Sequence, residues 1–372
     1  MSDTGESIRT YYLTRKSQDE CHDSSSEPCN SRVLESSGPS AERSGSLATS
    51  RAELIADTLK RLTFSKHGKS SVSAEGKESS LAKAKHSVMR TRTKVARATI
   101  ERKTRELCIN LNIAGSSASK LIRLEYLCQH LLEHPEAISV ATKENLLPLL
   151  LRMCRCTDQA LAEQARQALA LVGFVPPVAG HGIRVLSLDG GGTRGLTTLE
   201  MLKRLSELSG KQPYEMFDYV IGVSTGALLA CMLCVYRIPL DECITLYKDF
   251  SKEMFTVSRF QGARKLVTSY AYYDTAMWED ILKQQFGEKT FLHTTMDSKC
   301  PKVAMVSSIM TQSHHIQPFL FRNYSLPPRV YSVYQGSMQH CLWQAIRASS
   351  AAPGYYEEFK LATKCMRMVV FW

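Results

Sequence analysis

From Tyr219 to Tyr236 the chain runs through eighteen residues without a charged side chain. A stretch of that length and apolarity either crosses a bilayer as a helix or is buried inside a protein. Gly222, Ser224, Thr225 and Gly226 lie near one end of it, and two glycines with two hydroxyls are poor lipid-facing content, so the membrane reading fails. What remains is a buried unit. The residues Asp218-Tyr219-Val220-Ile221-Gly222-Val223 read as a strand, the glycines as a tight turn, and 224–236 as a helix that is apolar on every side. The whole chain, 372 residues with 44% hydrophobic and 22% charged, has room for two globular domains around such a unit.

The net charge of +11 is unevenly spread. Residues 51–110 carry 15 basic and 6 acidic side chains, whereas residues 1–50 carry 5 and 8. Thirteen of the first fifty residues are Ser, and Ser65 to Ser80 is again Ser/Lys-rich; residues 1–80 therefore hold too little apolar surface to offset the entropy of ordering and are expected to be disordered. Residues 81–98 read as a basic helix or linker in which Arg90, Lys94 and Arg97 share one face. That stripe suits a solvated face, anionic lipid headgroups or nucleic-acid phosphates, and the lack of interleaved aromatics disfavours the last, so no nucleic acid is expected as a partner. No early apolar stretch resembles a secretory signal, and the twelve cysteines are scattered; both observations point to a reducing, intracellular setting.

Residues 99–176 turn to helical periodicity, with Leu121, Leu124, Cys128, Leu131 and Leu132 on one stripe and Leu161, Ala165, Ala168 and Leu169 on another. Helix starts near Ser117 and Thr157, 40 residues apart, match the spacing of an armadillo or HEAT-like segment. Pro176, Pro177, Gly180 and Gly182 mark the expected boundary, and residues 183–372 form the second domain. It opens with an Ile183–Asp189 strand and a glycine loop, followed by a helix with Leu199, Leu202, Leu205 and Leu208 on one face that stops at Gly210. Strand, glycine turn and helix, twice in succession, make an α/β sheet.

Gly190-Gly191-Gly192-Thr193-Arg194-Gly195 fits G-x-G-x-x-G, a loop whose backbone N–H groups can surround an anion at a helix start. A dinucleotide site would want an acid closing the second strand, but Asp218 stands before it. Gly222-Val223-Ser224-Thr225-Gly226 fits G-x-S-x-G, and the strand before and helix after it are the context that puts a nucleophilic Ser on an exposed turn. Cys231 and Cys234 match C-x-x-C inside an apolar helix with no second pair, so they read as buried packing. Neither a G-K-[ST] phosphate loop nor an H-E-x-x-H pair appears, and neither cofactor nor metal is expected.

The two loops together resemble those of the patatin-like phospholipase family, in particular its calcium-independent members, over roughly Ile183 to Tyr355. The segments Lys302 to Ser308 and Ala345 to Tyr355 extend the resemblance. It implies a three-layer α/β/α sandwich and hydrolysis of glycerophospholipid acyl esters at a membrane surface. Ser224 would be the nucleophile, Gly190, Gly191, Gly192, Arg194 and Gly195 the oxyanion loop, and Gly222, Val223, Thr225 and Gly226 the nucleophile's turn. It further implies peripheral attachment to an organelle membrane, whether endoplasmic reticulum, mitochondrion or peroxisome. Protein partners would meet the helical domain.

The family pairs its Ser with an Asp in a D-G-[GA] motif beyond the A-x-x-A-A-P helix, and here the chain departs from the pattern. Its last Asp is Asp297, and the tail from Leu361 to Trp372 is basic and apolar. The dyad Asp has no counterpart, which reads as a truncated variant with an incomplete sandwich and an uncovered sheet edge. His293, His314, His315, His340, Glu357 and Glu358 are the substitutes the sequence offers. The missing acid also supports a second reading: a non-catalytic chain that binds membranes or partners through its helical and basic parts.

Overall fold

The computed structural model describes residues 94–178, 180–255, 271–310, 315–361 and 364–367. The expected disorder of residues 1–80, most of the 81–98 segment with Arg90, and His314 lie outside them. From Arg97 onward the described residues belong to one compact unit.

Helices come first. Helix α1 covers 94–112 of the described chain, followed by α2 (Ser117–Glu133), α3 (Ile138–Lys143), α4 (Leu146–Met153) and α5 (Gln159–Leu171). The starts of α2 and α5 are set by side-chain caps: Ser116 accepts the Ser119 N–H and Asp158 accepts the Leu161 N–H, relieving N–H groups that a helix leaves unpaired. Leu124, Cys128, Leu131, Leu150, Leu161, Ala165 and Ala168 are buried between these helices.

The helical part is fastened to the sheet-bearing part by polar and close contacts. Arg166 donates through Nε to the Met296 carbonyl at 2.6 Å, and Gln339 donates to the Leu132 carbonyl at 3.4 Å. Gly173, with φ of 79°, lies so close to the Leu326 carbonyl that no side chain would fit.

The sheet has seven strands, with β1 (Val185–Leu188), β2 (Tyr219–Val223), β3 (Lys302–Met310), β4 (Ile316–Arg322) and β5 (Gln335–Ser337) in that spatial order. Strands β1, β2 and β3 are parallel, β4 is antiparallel to β3, and β5 is parallel to β4. The parallel strands read as continuous apolar runs because they are covered, and Val220, Val303, Ala304 and Met305 are fully buried. Between β1 and β2 stand α6 (Gly195–Ser209) and the short α7 (Pro213–Met216). After β2 come α8 (Thr225–Ala230), a π-helical turn over Cys231–Val235, α9 (Leu240–Phe255), α10 (Thr275–Phe286) and α11 (Phe291–Thr294). Helix α12 (Leu342–Ser349) precedes β6 (Phe359–Leu361) and β7 (Lys364–Arg367).

Three expectations change. The helix after the Ser224 turn is α-helical only to Ala230 and then widens into the π turn, on which Cys231 and Cys234 are fully buried as free thiols. Of the expected α6 stripe, Leu199 and Leu202 are buried but Leu205 and Leu208 are exposed, because the second half of the helix lies at the surface. The sheet edge expected to be bare is occupied: β6 and β7 form a hairpin, and β7 pairs antiparallel with Ser308–Met310 of β3.

Arg347 of α12 ties this region together. Its side chain is 1% exposed, with Nε 3.1 Å from Glu279 Oε1 of α10 and Nη2 donating to the Glu357 carbonyl at 2.7 Å. Burial pushes the guanidinium below its ordinary value while Glu279 opposes that push, so Glu279 is the charge that makes a buried Arg tolerable. Replacing Glu279 by Gln should cost about 2 kcal/mol in urea denaturation, the partial exposure of the carboxylate keeping the figure below that of a fully buried pair. Adding Arg347→Met to that variant should recover part of the loss, and a double variant no better than the single one would show the charge pair to be incidental.

Candidate active site

The register of the parallel strands puts two turns at one level. Leu188 lies opposite Gly222, and Gly222 opposite Met305, so the glycine loop after β1 and the Ser224 turn after β2 leave the sheet side by side. Their closeness demands the glycines. A Cβ at Gly226 would land on the Leu188 carbonyl, and one at Gly222 on the Gly226 carbonyl.

Ser224 itself sits at φ 54° and ψ −117°, a combination that a residue with a Cβ adopts only under strain of about 1–3 kcal/mol. It is held there from both sides. Its N–H donates to Ser349 Oγ at 2.7 Å, and the Ser349 hydroxyl donates in turn to the Val306 carbonyl at 2.6 Å. The Ala227 and Leu228 N–H groups donate to the Ser224 carbonyl, so the helix begins at the turn itself.

The glycine loop is fastened to the same turn. Thr225 Oγ1 donates to the Gly192 carbonyl at 3.1 Å, and the Tyr247 hydroxyl donates to that carbonyl as well. Gly192 has φ of 55°, and Gly192–Arg194 form one 3-10 turn leading into α6. Among the described residues the N–H groups of Gly191 and Gly192 donate to nothing. Two free N–H groups at a helix start, beside a strained Ser, form a cradle for a negatively charged oxygen.

A cavity of about 510 Å³ opens over both turns. Gly191, Gly192, Thr193, Arg194, Ser224 and Thr225 form its polar floor, and Phe250, Tyr273, Trp278, Tyr355 and Tyr356 supply aromatic walls. The aromatic side is built from two segments laid together: the Tyr272 and Tyr273 N–H groups donate to the Gly354 and Tyr355 carbonyls, and Trp278 Nε1 donates to Ser350 Oγ at 2.9 Å. Burial raises the Tyr273 and Tyr356 phenols above their ordinary values, so both are neutral hydroxyls on an otherwise apolar surface.

The structure therefore gathers Gly191, Gly192, Arg194, Ser224 and Thr225 around one cavity. Gly190, Val223, Gly222, Gly226 and Gly195 do not line it; Gly195 instead permits the close approach of Thr225 and Tyr247. The proposed substitutes for a base are elsewhere. His293 caps α11 with Thr290, His340 packs against Phe319 and Phe321, and His315 and Glu357 are exposed. Neither these nor Glu358 line the cavity, and among the described residues no Asp, Glu or His does. Asp218, dismissed as a ribose ligand, accepts the Arg184 N–H and both ends of its guanidinium, which holds the carboxyl at about 2.

Sequence reasoning had no role for Ser349. The visible signal was Ser349-Ser350 ending an apolar helix within Ala345 to Tyr355, two hydroxyls where packing alone calls for Ala.

The family described as patatin-like phospholipase matches residues 186–369. The chain is similar to calcium-independent phospholipase A2-gamma of Oryctolagus cuniculus, at 43% identity over 77% of this chain and 37% of that protein. The Homo sapiens protein of the same name is 45% identical over 72% of this chain and 34% of its own length. Phospholipase A I of Arabidopsis thaliana is 29% identical over 59% of this chain and 21% of its own. The chain spans little more than a third of the length of the two phospholipase A2-gamma relatives.

If the turn is strained as its angles indicate, removing the Cβ should release energy. Ser224→Gly is expected to raise stability by about 1 kcal/mol, the strain relief outweighing the added freedom of the unfolded chain, as read from the thermal unfolding midpoint. Ser349→Ala should move the midpoint the other way, since it leaves the part-buried Ser224 N–H without its partner.

Proposed function

The chain belongs to the patatin-like phospholipase family through residues 186–369, and from that premise we propose that it is built to cleave acyl esters of glycerophospholipids at the Ser224 hydroxyl. The observation that carries the proposal is the pairing of a strained Ser lining the cavity with the N–H groups of Gly191 and Gly192, which are unpaired among the described residues. As Ser224 Oγ bonds to the ester carbon, the carbonyl pair moves onto oxygen, and the two N–H groups stabilise that oxyanion. The aromatic walls exclude water from the reacting ester and accept the acyl chain. No metal or cofactor enters this reading.

The attack also requires a base to take the Ser224 proton and a donor to protonate the departing alcohol oxygen. No carboxylate or imidazole among the described residues lines the cavity, and this favours a second reading, in which the 372-residue chain binds phospholipid and turns it over poorly. Residues 99–176 serve in both readings as an armadillo or HEAT-like platform for protein partners. The basic face with Lys94 and Arg97 serves as a contact for anionic lipid on an intracellular membrane, although Arg97 already pairs with Glu101 at 3.2 Å.

Two experiments test these readings. A fluorophosphonate probe should label the chain at Ser224 and leave Ser224→Ala unlabelled, while phospholipid hydrolysis should run about 10²–10⁴-fold below that of a phospholipase A2-gamma relative, because no base lines the cavity among the described residues. Labelling elsewhere would remove Ser224 from its role; hydrolysis at the relative's rate, abolished by Ser224→Ala, would mean that another group serves as base. Sedimentation with anionic vesicles should be salt-sensitive and weaken on charge reversal at Arg90, Lys94 and Arg97; unchanged binding would leave those residues a linker face.

A further inference from the structure

A second cavity, of about 600 Å³, lies at the opposite ends of the parallel strands. It is bounded by the residues that enter β1, β2 and β3, among them Ile183, Tyr219 and Lys302, and by α5 and the segment after it. Ser224 lies beyond the far end of β2, roughly 15 Å away at the rise of a strand, and the two cavities share no lining residue.

The lining is apolar along most of its length. Leu169, Ala170, Phe174, Val178, Phe217 and Leu326 contribute, and Tyr219 and Tyr324 face it with hydroxyls that bond each other at 3.0 Å. The charges are unbalanced at one place. Of the acidic groups in the lining, Asp218 is occupied by Arg184, Asp297 pairs with Arg237 at 2.8 Å, and Glu215 accepts the Gln212 N–H. Among the described residues Lys302 and Lys299 have no acidic partner, and Arg166 is bound only to the Met296 carbonyl. Lys302 is half-buried, and burial lowers its ammonium below the ordinary value. A half-buried cation without a counter-ion at the edge of an apolar chamber is costly unless an anion completes it.

We propose that this second cavity is a binding site for a long-chain carboxylate, its hydrocarbon lying against α5, Phe217 and Leu326 and its anionic head against Lys302. A volume of this size suits a ligand whose surface is mostly enclosed. The site depends on neither the hydrolytic reading nor the base, because it is separated from Ser224 by the length of the sheet.

Titration of the full chain with laurate below its micellar concentration, followed by calorimetry, tests the proposal. Laurate should bind, dodecanol should bind at least tenfold more weakly, and Lys302→Met should abolish that preference while Lys302→Arg restores it. Val178→Trp, at a half-exposed position of the lining, should exclude the chain and lower laurate affinity tenfold or more, whereas Ser224→Ala should leave it unchanged. Absence of laurate binding, equal binding of laurate and dodecanol, or laurate binding indifferent to both Lys302→Met and Val178→Trp would overturn the proposal. If Lys302→Met fails to fold, the Val178→Trp and dodecanol arms decide it alone.

Discussion

Everything near the candidate site depends on a crossing too tight for side chains. The β2-to-α8 turn passes so close to the end of β1 that Gly226 meets the Leu188 carbonyl and Gly222 meets Gly226. With the residues two before and two after it stripped to backbone, the chain can reverse within one residue, and that residue is Ser224 at positive φ. Strain of this kind persists only where surrounding structure outweighs it. Here the counterweight is the bonding of the Ser224 N–H to Ser349, which is in turn bonded to Val306 of β3. The parallel register of β2 and β3 is what brings Val306 to the level of the turn, so the position of the hydroxyl is inherited from the sheet through Ser349 rather than from local preference.

The glycine loop is positioned by the same logic from the other side. Thr225 and Tyr247 both spend their hydroxyls on the Gly192 carbonyl, which fixes the loop against the Ser224 turn, while among the described residues the N–H groups of Gly191 and Gly192 donate to nothing. Gly195 has no side chain because Thr225 and Tyr247 already fill the space a Cβ would need. The glycines of this stretch thus divide their work: Gly191 and Gly192 expose backbone, whereas Gly195 and Gly226 allow packing.

How much of this was legible depends on the range of each interaction. The strand, turn and helix around Ser224 were readable because they rest on neighbours in sequence: an apolar run, two glycines two residues from a Ser, and a pattern with few alternatives. The cap at Gly210 was readable for the same reason, and its φ of 66° bears it out. The switch from α to π at Cys231 was not, since an entirely apolar stretch carries no polar landmark where its hydrogen bonding changes. The exposure of Leu205 and Leu208 depends on where neighbouring elements end. Ser349, 125 residues from Ser224, and the aromatic walls of the cavity depend on contacts between distant segments, which periodicity cannot report.

The last strand shows why a tail cannot be judged from its composition. Strand β3 has nine residues, of which β2 covers Lys302 to Val306 on one edge while β4 runs along the other. Ser308, Ile309 and Met310 would otherwise present unpaired backbone groups beside the turn, an arrangement that structures avoid by pairing or covering. Lys364 to Arg367 supply the partner. Because that hairpin is reached through Gly354 to Glu358, the same segment that lays Tyr355 and Tyr356 along the cavity and gives a carbonyl to Arg347, edge and cavity wall are two consequences of one path of chain. Lys364-Cys365-Met366-Arg367 thus occupy the edge of β3 just beyond the end of β2 from which Ser224 emerges.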